Sequence, residues 1–230
     1  MTADYESFRA RLSLTRNDIY AALLQENQDH IRIKKPAVAI KGLGNIVEAT
    51  LRLAASRGFH AMSLRDLCAE SGFSIGGIYA YIKNKDDLIR LIQNYGFLLT
   101  HRTLLAAIQN QSPGTGKLQA AICTHLFLSE MMPDWFSFSF MEAKNMPPRE
   151  KQEAIRAARQ IEDIFFDILE EGIAANAFGP VNTRLLASLI KALMQDWYLK
   201  RSKYRRQKID VNAYAQTVCN LLGSYLQSPL

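Results

Sequence analysis

The sequence predicts an all-α protein, and three observations carry that prediction. Apolar residues recur at three- and four-residue spacing along most of the chain, which is the repeat of one helical face. Stops built from Ser, Gly and Pro separate those stretches, where helices begin and end. Between Ala61 and Asp86 the run AMSLRDLCAESGFSIGGIYAYIKNKD reads as two short helices joined by a tight glycine turn, the helix-turn-helix signature. One stretch is open to a strand reading: Asp134–Met141, DWFSFSFM, where aromatic residues partly alternate. The flanking helices and the EAKN continuation favour a short buried helix there.

The composition suits a soluble globular chain. Of 230 residues, 48% are apolar and 22% charged, enough for one large core or two smaller ones. The net charge of +6 mildly favours an anionic partner. Cys68, Cys123 and Cys219 are odd in number, widely spaced and set within helical patterns, so they read as buried free thiols of a reducing compartment. The N-terminus lacks the apolar core of a signal peptide, and no apolar run reaches membrane-spanning length. A cytoplasmic protein with no membrane partner is expected.

Residues 1–40 form an N-terminal extension. Leu14–His30 predicts a helix capped by Thr15, with Ile19, Leu23 and Leu24 on one face, and Pro36 argues against its continuation. Arg32, Lys34, Lys35 and Lys41 make a basic arm, which either touches phosphates or the minor groove or is a solvated linker. The extension's helix pads either a dimer or the second domain; nothing in the sequence decides.

Asn45–Arg57 is the next predicted helix, with Ile46, Val47, Thr50, Leu51 and Ala54 as its buried stripe. Ser63 then caps a helix carrying Leu64, Leu67 and Cys68 on one face. Gly72 supplies the positive φ of a helix stop, and Ser74 caps the second helix. Leu64, Leu67, Ile78 and Ile82 are expected inside. Arg65, Ser74, Ile75, Gly76, Gly77, Tyr79 and Tyr81 are left exposed.

That exposed set suits duplex DNA, with the second helix in the major groove. Ser63, Tyr79, Tyr81 and Lys85 fit phosphate contacts, and Lys85 also opens a helix whose free amides favour an anion. Gly76 and Gly77 let the backbone approach base edges. Ile75 suits a thymine methyl, and Arg65 suits either guanine or a phosphate. For the tyrosines the competing reading is core packing.

In the second half, Asp86–Gln111 is one long helix and residues 112–117 are a loop without phosphate-cradling spacing. Helices follow over Leu118–Met132, over Arg149–Ala175 after the Pro147-Pro148 break, over Asn182–Lys203 and over Asp210–Gln227. The last two are apolar on more than one side and need partners on two sides, which a dimer meets with a four-helix bundle. His30, His60, His101 and His125 are scattered, with no metal-ligand spacing and no nucleophile elbow. No enzyme, metal or cofactor is expected.

Gly44–Leu88 resembles the DNA-binding domain of the TetR family of repressors. It matches at Gly58-Phe59, Ser63, Gly72-Phe73-Ser74, Ile78-Tyr79-Ala80-Tyr81 and Lys85. It departs at Ile82, where an aromatic is usual, and at Ile75-Gly76-Gly77, where polar side chains are common. The resemblance implies a three-helix helix-turn-helix DNA-binding domain over 41–88 and a helical ligand-binding and dimerisation domain over 89–230. It further implies a homodimer through the last two helices, binding palindromic operator DNA as a repressor that a small hydrophobic molecule releases.

For that effector, Phe136, Phe138, Phe140, Met141, Phe165, Phe166 and Trp197 make an apolar cavity, or are simply core. The densest positive charge, Gln195–Lys208, puts Lys200, Arg201, Lys203, Arg205, Arg206 and Lys208 beside Trp197 and Tyr198. It resembles the Trp-Tyr-basic run of TetR-like regulators of lipid metabolism and suits an acyl-CoA, with Trp197, Tyr198 and Arg201 as contacts. A basic helix end followed by a solvated loop weighs equally against it. A helical carrier of hydrophobic ligands, or a sensor of aromatic or drug-like compounds, stands as the alternative.

Overall fold

The computed structural model describes residues 4–12, 15–143 and 148–227; the expected features at Leu14 and Pro147 lie outside them. Every regular element among the described residues is a helix: α1 (Tyr5–Leu12), α2 (Arg16–Glu26), α3 (Pro36–Arg57), α4 (Leu64–Ser71), α5 (Ile75–Ile78) and α6 (Asp86–Ile108). Then follow α7 (Thr115–Met131), α8 (Pro133–Ala143), α9 (Pro148–Ala174), α10 (Thr183–Leu199), α11 (Arg201–Arg206) and α12 (Val211–Gln227). None is long and apolar enough to cross a membrane.

The described residues group into two compact units. One comprises those within 13–97 and 134–154, the other those within 1–12, 98–133 and 155–230. This division cuts across the expected 1–40, 41–88 and 89–230 segments. Helix α1 groups with the C-terminal helices, while α2 and α8 group with the helix-turn-helix.

In the first unit, Thr15 caps α2 through a reciprocal pair with Asp18: the Asp18 amide donates to the threonine hydroxyl at 3.2 Å, and the Thr15 amide donates to the carboxylate at 2.9 Å. Tyr20 and Leu23 of α2 are buried against α3, and the Tyr20 hydroxyl donates to Glu48 at 3.2 Å. Arg16 pairs with the same carboxylate at 2.5 Å. The second helix of the extension therefore braces the DNA-binding unit.

Helix α3 begins at Pro36 rather than at the expected Asn45, because Pro36 fits a first turn and two glycines that look like breakers are packing positions. A Cβ on Gly42 would lie 2.0 Å from the Tyr81 hydroxyl oxygen, and one on Gly44 would lie 2.9 Å from the Tyr20 ring. Each glycine costs the helix about 1 kcal/mol, and burial of a ring against it offsets that cost. The aromatic stretch 134–141 is helical, as expected. Its Phe138 meets Phe59 edge-on at 5.6 Å, its Trp135 meets Tyr95 at 5.4 Å, and Gln93 donates to the Ser139 carbonyl at 3.0 Å.

The second unit is built on α7, buried along most of its length from Leu118 to Ser129, with α1, α10 and α12 packed on it. Tyr5 and Phe8 of α1 lie 5.8 and 5.6 Å from the Phe127 ring, and the Tyr5 amide donates to Asn212 at 2.9 Å.

His125 sits in this core at 6% exposure. Burial, helped by the charge of Lys191, pushes its imidazole down to about 4. A histidine so depressed is neutral when folded and protonates on unfolding, so its stabilising effect is full above pH 6.5 and falls as the pH drops towards 4. Thermal or urea unfolding between pH 7 and pH 4 is expected to show a loss of about 3 kcal/mol from this group. His125→Phe should remove that part of the slope; an unchanged slope would refute the assignment.

Candidate nucleic-acid interface

The reading head is assembled by local caps. The Ser63 hydroxyl accepts from the Asp66 amide at 3.1 Å, while Asp66 accepts from the Ser63 amide at 2.8 Å, so α4 starts on a reciprocal pair. Bonds from the Ser63 hydroxyl and then its amide hold the Asp66 carboxyl below its ordinary value. Gly72 ends α4 at φ +76°, as expected, and the Ser74 hydroxyl accepts from the Gly77 amide at 3.1 Å to open α5. Helix α5 is one turn, but the amides of Tyr81 and Ile82 continue the bonding back to Ile78, so the recognition segment extends to residue 82.

Burial then sorts the side chains. Leu67, Ile78 and Ile82 are buried and Leu64 half-buried; Lys41, Ser63, Arg65, Ser74, Ile75, Gly76 and Tyr79 are exposed, with Gly77 intermediate. Ile75 at 51% and Tyr79 at 43% are large apolar groups presented to solvent. A Cβ on Gly76 would meet nothing within 4 Å, so the surface there is open.

Two expected contacts are arranged differently. Tyr81 is not exposed: it is 2% accessible, stacks edge-on with Phe73 and donates to the Val38 carbonyl at 3.3 Å. The cause is Gly42, whose missing side chain leaves room for the ring on α3. Lys85 is half-buried, donates to the His60 carbonyl at 3.0 Å and lies 4.7 Å over the Phe59 ring. Burial lowers its ammonium below the ordinary value, against the opposing charges of Asp86 and Glu142. The basic arm is tied to the reading head, because the Arg32 amide donates to the Ala80 carbonyl at 2.8 Å.

Residues that the sequence reading passed over hold this surface in place. Asp87 accepts from the Lys83 amide at 2.8 Å and pairs with Arg90 at 2.6 Å, while its own amide donates to Asn84 at 3.0 Å. The recognition segment is thereby joined to the first turn of α6. The Asn-x-x-Asp spacing was the available signal. Phe59 is fully buried, and His60 beside it pairs with Glu142 of α8 at 3.5 Å.

The expected effector residues divide between the two units. Phe136, Phe138, Phe140 and Met141 belong with the helix-turn-helix, with Phe140 and Met141 exposed, at 43% and 48%. Phe165, Trp197, Tyr198 and Arg201 belong to the other unit, where Phe165 is fully buried and Tyr198 lies beside His125. Glu130 gathers two of them: it accepts from the Trp197 indole at 3.1 Å and pairs with Arg201 at 2.5 Å. A cavity of about 340 Å³ opens there, lined by Tyr5, Glu6, Glu130, Trp197, Arg201 and Arg205 among others. Trp197 is also stacked on Tyr204 at 5.3 Å.

Comparison with known proteins agrees with this surface. Residues 46–92 match the family of bacterial regulatory proteins, tetR family, and residues 111–219 match the tetracyclin repressor-like C-terminal domain. The chain is 27% identical over 205 residues to the uncharacterized HTH-type transcriptional regulator YfiR of Bacillus subtilis strain 168, covering 82% of this chain and 93% of that one. A tetR-family regulatory protein from Rhodococcus RHA1 superposes with a TM-score of 0.73 at 19% identity, over 83% of this chain and 99% of that one. The regulator FadR from Bacillus subtilis, in complex with stearoyl-CoA, superposes with a TM-score of 0.65 at 23% identity, over 78% and 97%. The chain belongs to the TetR family of helix-turn-helix, DNA-binding transcriptional regulators.

Proposed function

We propose that two copies of this chain bind a palindromic operator and repress transcription until a hydrophobic small molecule releases them. The observation that carries this reading is an apolar stripe left in solvent. Leu185 and Leu189 of α10 are 56% and 51% exposed, and Leu221 and Tyr225 of α12 are 59% and 44% exposed, each pair four residues apart. Such a two-helix face suits a second copy of itself, and a dimer carries two recognition segments for half-sites one DNA turn, about 34–36 Å, apart. Replacing Leu189 and Leu221 together by Glu is expected to give a monomer by light scattering and to weaken operator binding about 100-fold, since one recognition segment then binds alone. An unchanged dimer would remove this face from the interface. The DNA reading itself is tested by gel shift on the segment upstream of the gene, where salt-sensitive, sequence-selective retardation is the expected result.

Release requires the effector to favour the DNA-incompetent state. Helix α6 is uninterrupted from Asp86 to Ile108, so displacement of its later turns reaches the Asp87 junction. An acyl-CoA is the effector we favour: the stearoyl-CoA bound to FadR supports it, as do Trp197 and Arg201 at the cavity. Because Glu130 already neutralises Arg201, the ligand's phosphates must displace that carboxylate or use the neighbouring Arg205. A long-chain acyl-CoA should raise the melting temperature and release DNA. If free fatty acids or aromatic drug-like compounds do so instead, the acyl-CoA reading fails and the repressor reading stands.

A further inference from the structure

Two of the three cysteines, 96 positions apart in the chain, meet in the second unit. Cys123 on α7 is half-buried, and Cys219 on α12 is buried at 5% exposure in the face that also carries Ala215, Val218 and Leu222. Helices α7 and α12 pack against each other, and the two thiols face each other across that contact, the Cys219 S–H donating to the Cys123 sulfur. Cys68 lies in the other unit and takes no part.

We propose that Cys123 and Cys219 are a dithiol modification site, oxidised by a hydroperoxide to an intramolecular disulfide that ties α7 to α12. The chemistry needs one accessible nucleophile and one shielded resolving thiol, and the pair divides those roles. The hydrogen bond from Cys219 draws the Cys123 thiol below its ordinary value against the effect of burial, while the same bond and burial push Cys219 up. The thiolate therefore forms at Cys123, the more accessible of the two, and the proton stays on Cys219.

The steps balance. The Cys123 thiolate attacks one oxygen of the hydroperoxide; an S–O bond forms, the O–O bond breaks, and the leaving alkoxide or hydroxide takes a proton from water. The Cys219 sulfur then attacks the resulting sulfenic acid; an S–S bond forms, the S–O bond breaks, and the departing hydroxide takes the Cys219 proton as water. One hydroperoxide is reduced, two thiols are oxidised, and a dithiol such as dithiothreitol reverses the result.

The experiment treats the full-length protein with one equivalent of hydrogen peroxide, alkylates what remains free, and maps the peptides by mass spectrometry. The expected product is lighter by two hydrogens, contains a linked Cys123–Cys219 peptide, retains alkylatable Cys68, and reverts with dithiothreitol. Its melting temperature should exceed that of the reduced protein, because the bond closes a long loop of chain. In Cys219→Ser the resolving thiol is gone, so Cys123 should stop at a sulfenic acid that dimedone traps. Oxidation of Cys68 alone, or of Cys123 with Cys219 still fully alkylated in the wild-type protein, would overturn the proposal. The wild-type map decides the matter even if the variant folds poorly.

Discussion

Gly76→Glu is expected to abolish operator binding while leaving the protein as stable as before. Gly76 is exposed in the single turn of α5, and a side chain there would meet no atom within 4 Å, so the fold accepts it. Replacing glycine inside a helix removes a cost of about 1 kcal/mol, so the melting temperature should hold or rise slightly. On DNA, the same side chain sets a carboxylate against phosphates and base edges. Like charges brought together at an interface cost several kcal/mol, which corresponds to a loss of about 100-fold or more in affinity. Fluorescence anisotropy on the operator, beside a thermal melt, separates the two effects. Gly76→Ala is the control and should retain most binding. Undiminished affinity in the glutamate variant would take α5 out of the DNA interface.

Phe59→Ala is expected to cost about 3–5 kcal/mol, the range for deleting a fully buried aromatic ring. Its ring is inaccessible, meets Phe138 at 5.6 Å with planes at 81°, and lies beneath the Lys85 ammonium. The position closes the loop between α3 and α4 and gives α8 its anchor, so one deletion loosens three elements. Urea unfolding measures the cost. A double-mutant cycle with Phe138→Ala should show positive coupling, because the two rings share one contact. A cost below about 1 kcal/mol would mean that α8 is held by other contacts.

The sequence reading did best where the determinant is local. Thr15, Ser63, Gly72, Ser74 and Asn182 each cap or stop a helix through bonds spanning three or four residues, and each does so in the structure. It did worst where a residue answers to something distant in the chain. Gly42 and Gly44 resemble helix breakers until Tyr81 and Tyr20 are seen against them. Tyr81 and Tyr79 share a motif, yet one is buried and the other presented, a difference made by a glycine some forty positions upstream. Phe138 and Phe165 look alike as candidate cavity residues, but the first serves the DNA-binding unit and the second is core in the other. Helix α1 has only eight residues and a weak apolar pattern; its place is set by Phe127 and Asn212, which no local signal foretells.

That placement of α1 bears on how the chain is completed during synthesis. The DNA-binding unit draws on nothing beyond residue 154, so its parts have all emerged while the last third of the protein is still unmade. Helix α1 leaves the ribosome first, yet the asparagine that receives its Tyr5 amide comes 207 positions later. Domains generally fold as units as they emerge, so this opening segment must stay unsatisfied through nearly the whole of translation. Its docking is then among the last events of maturation, and a chain cut short before Asn212 would present a competent reading head with its first helix still unplaced.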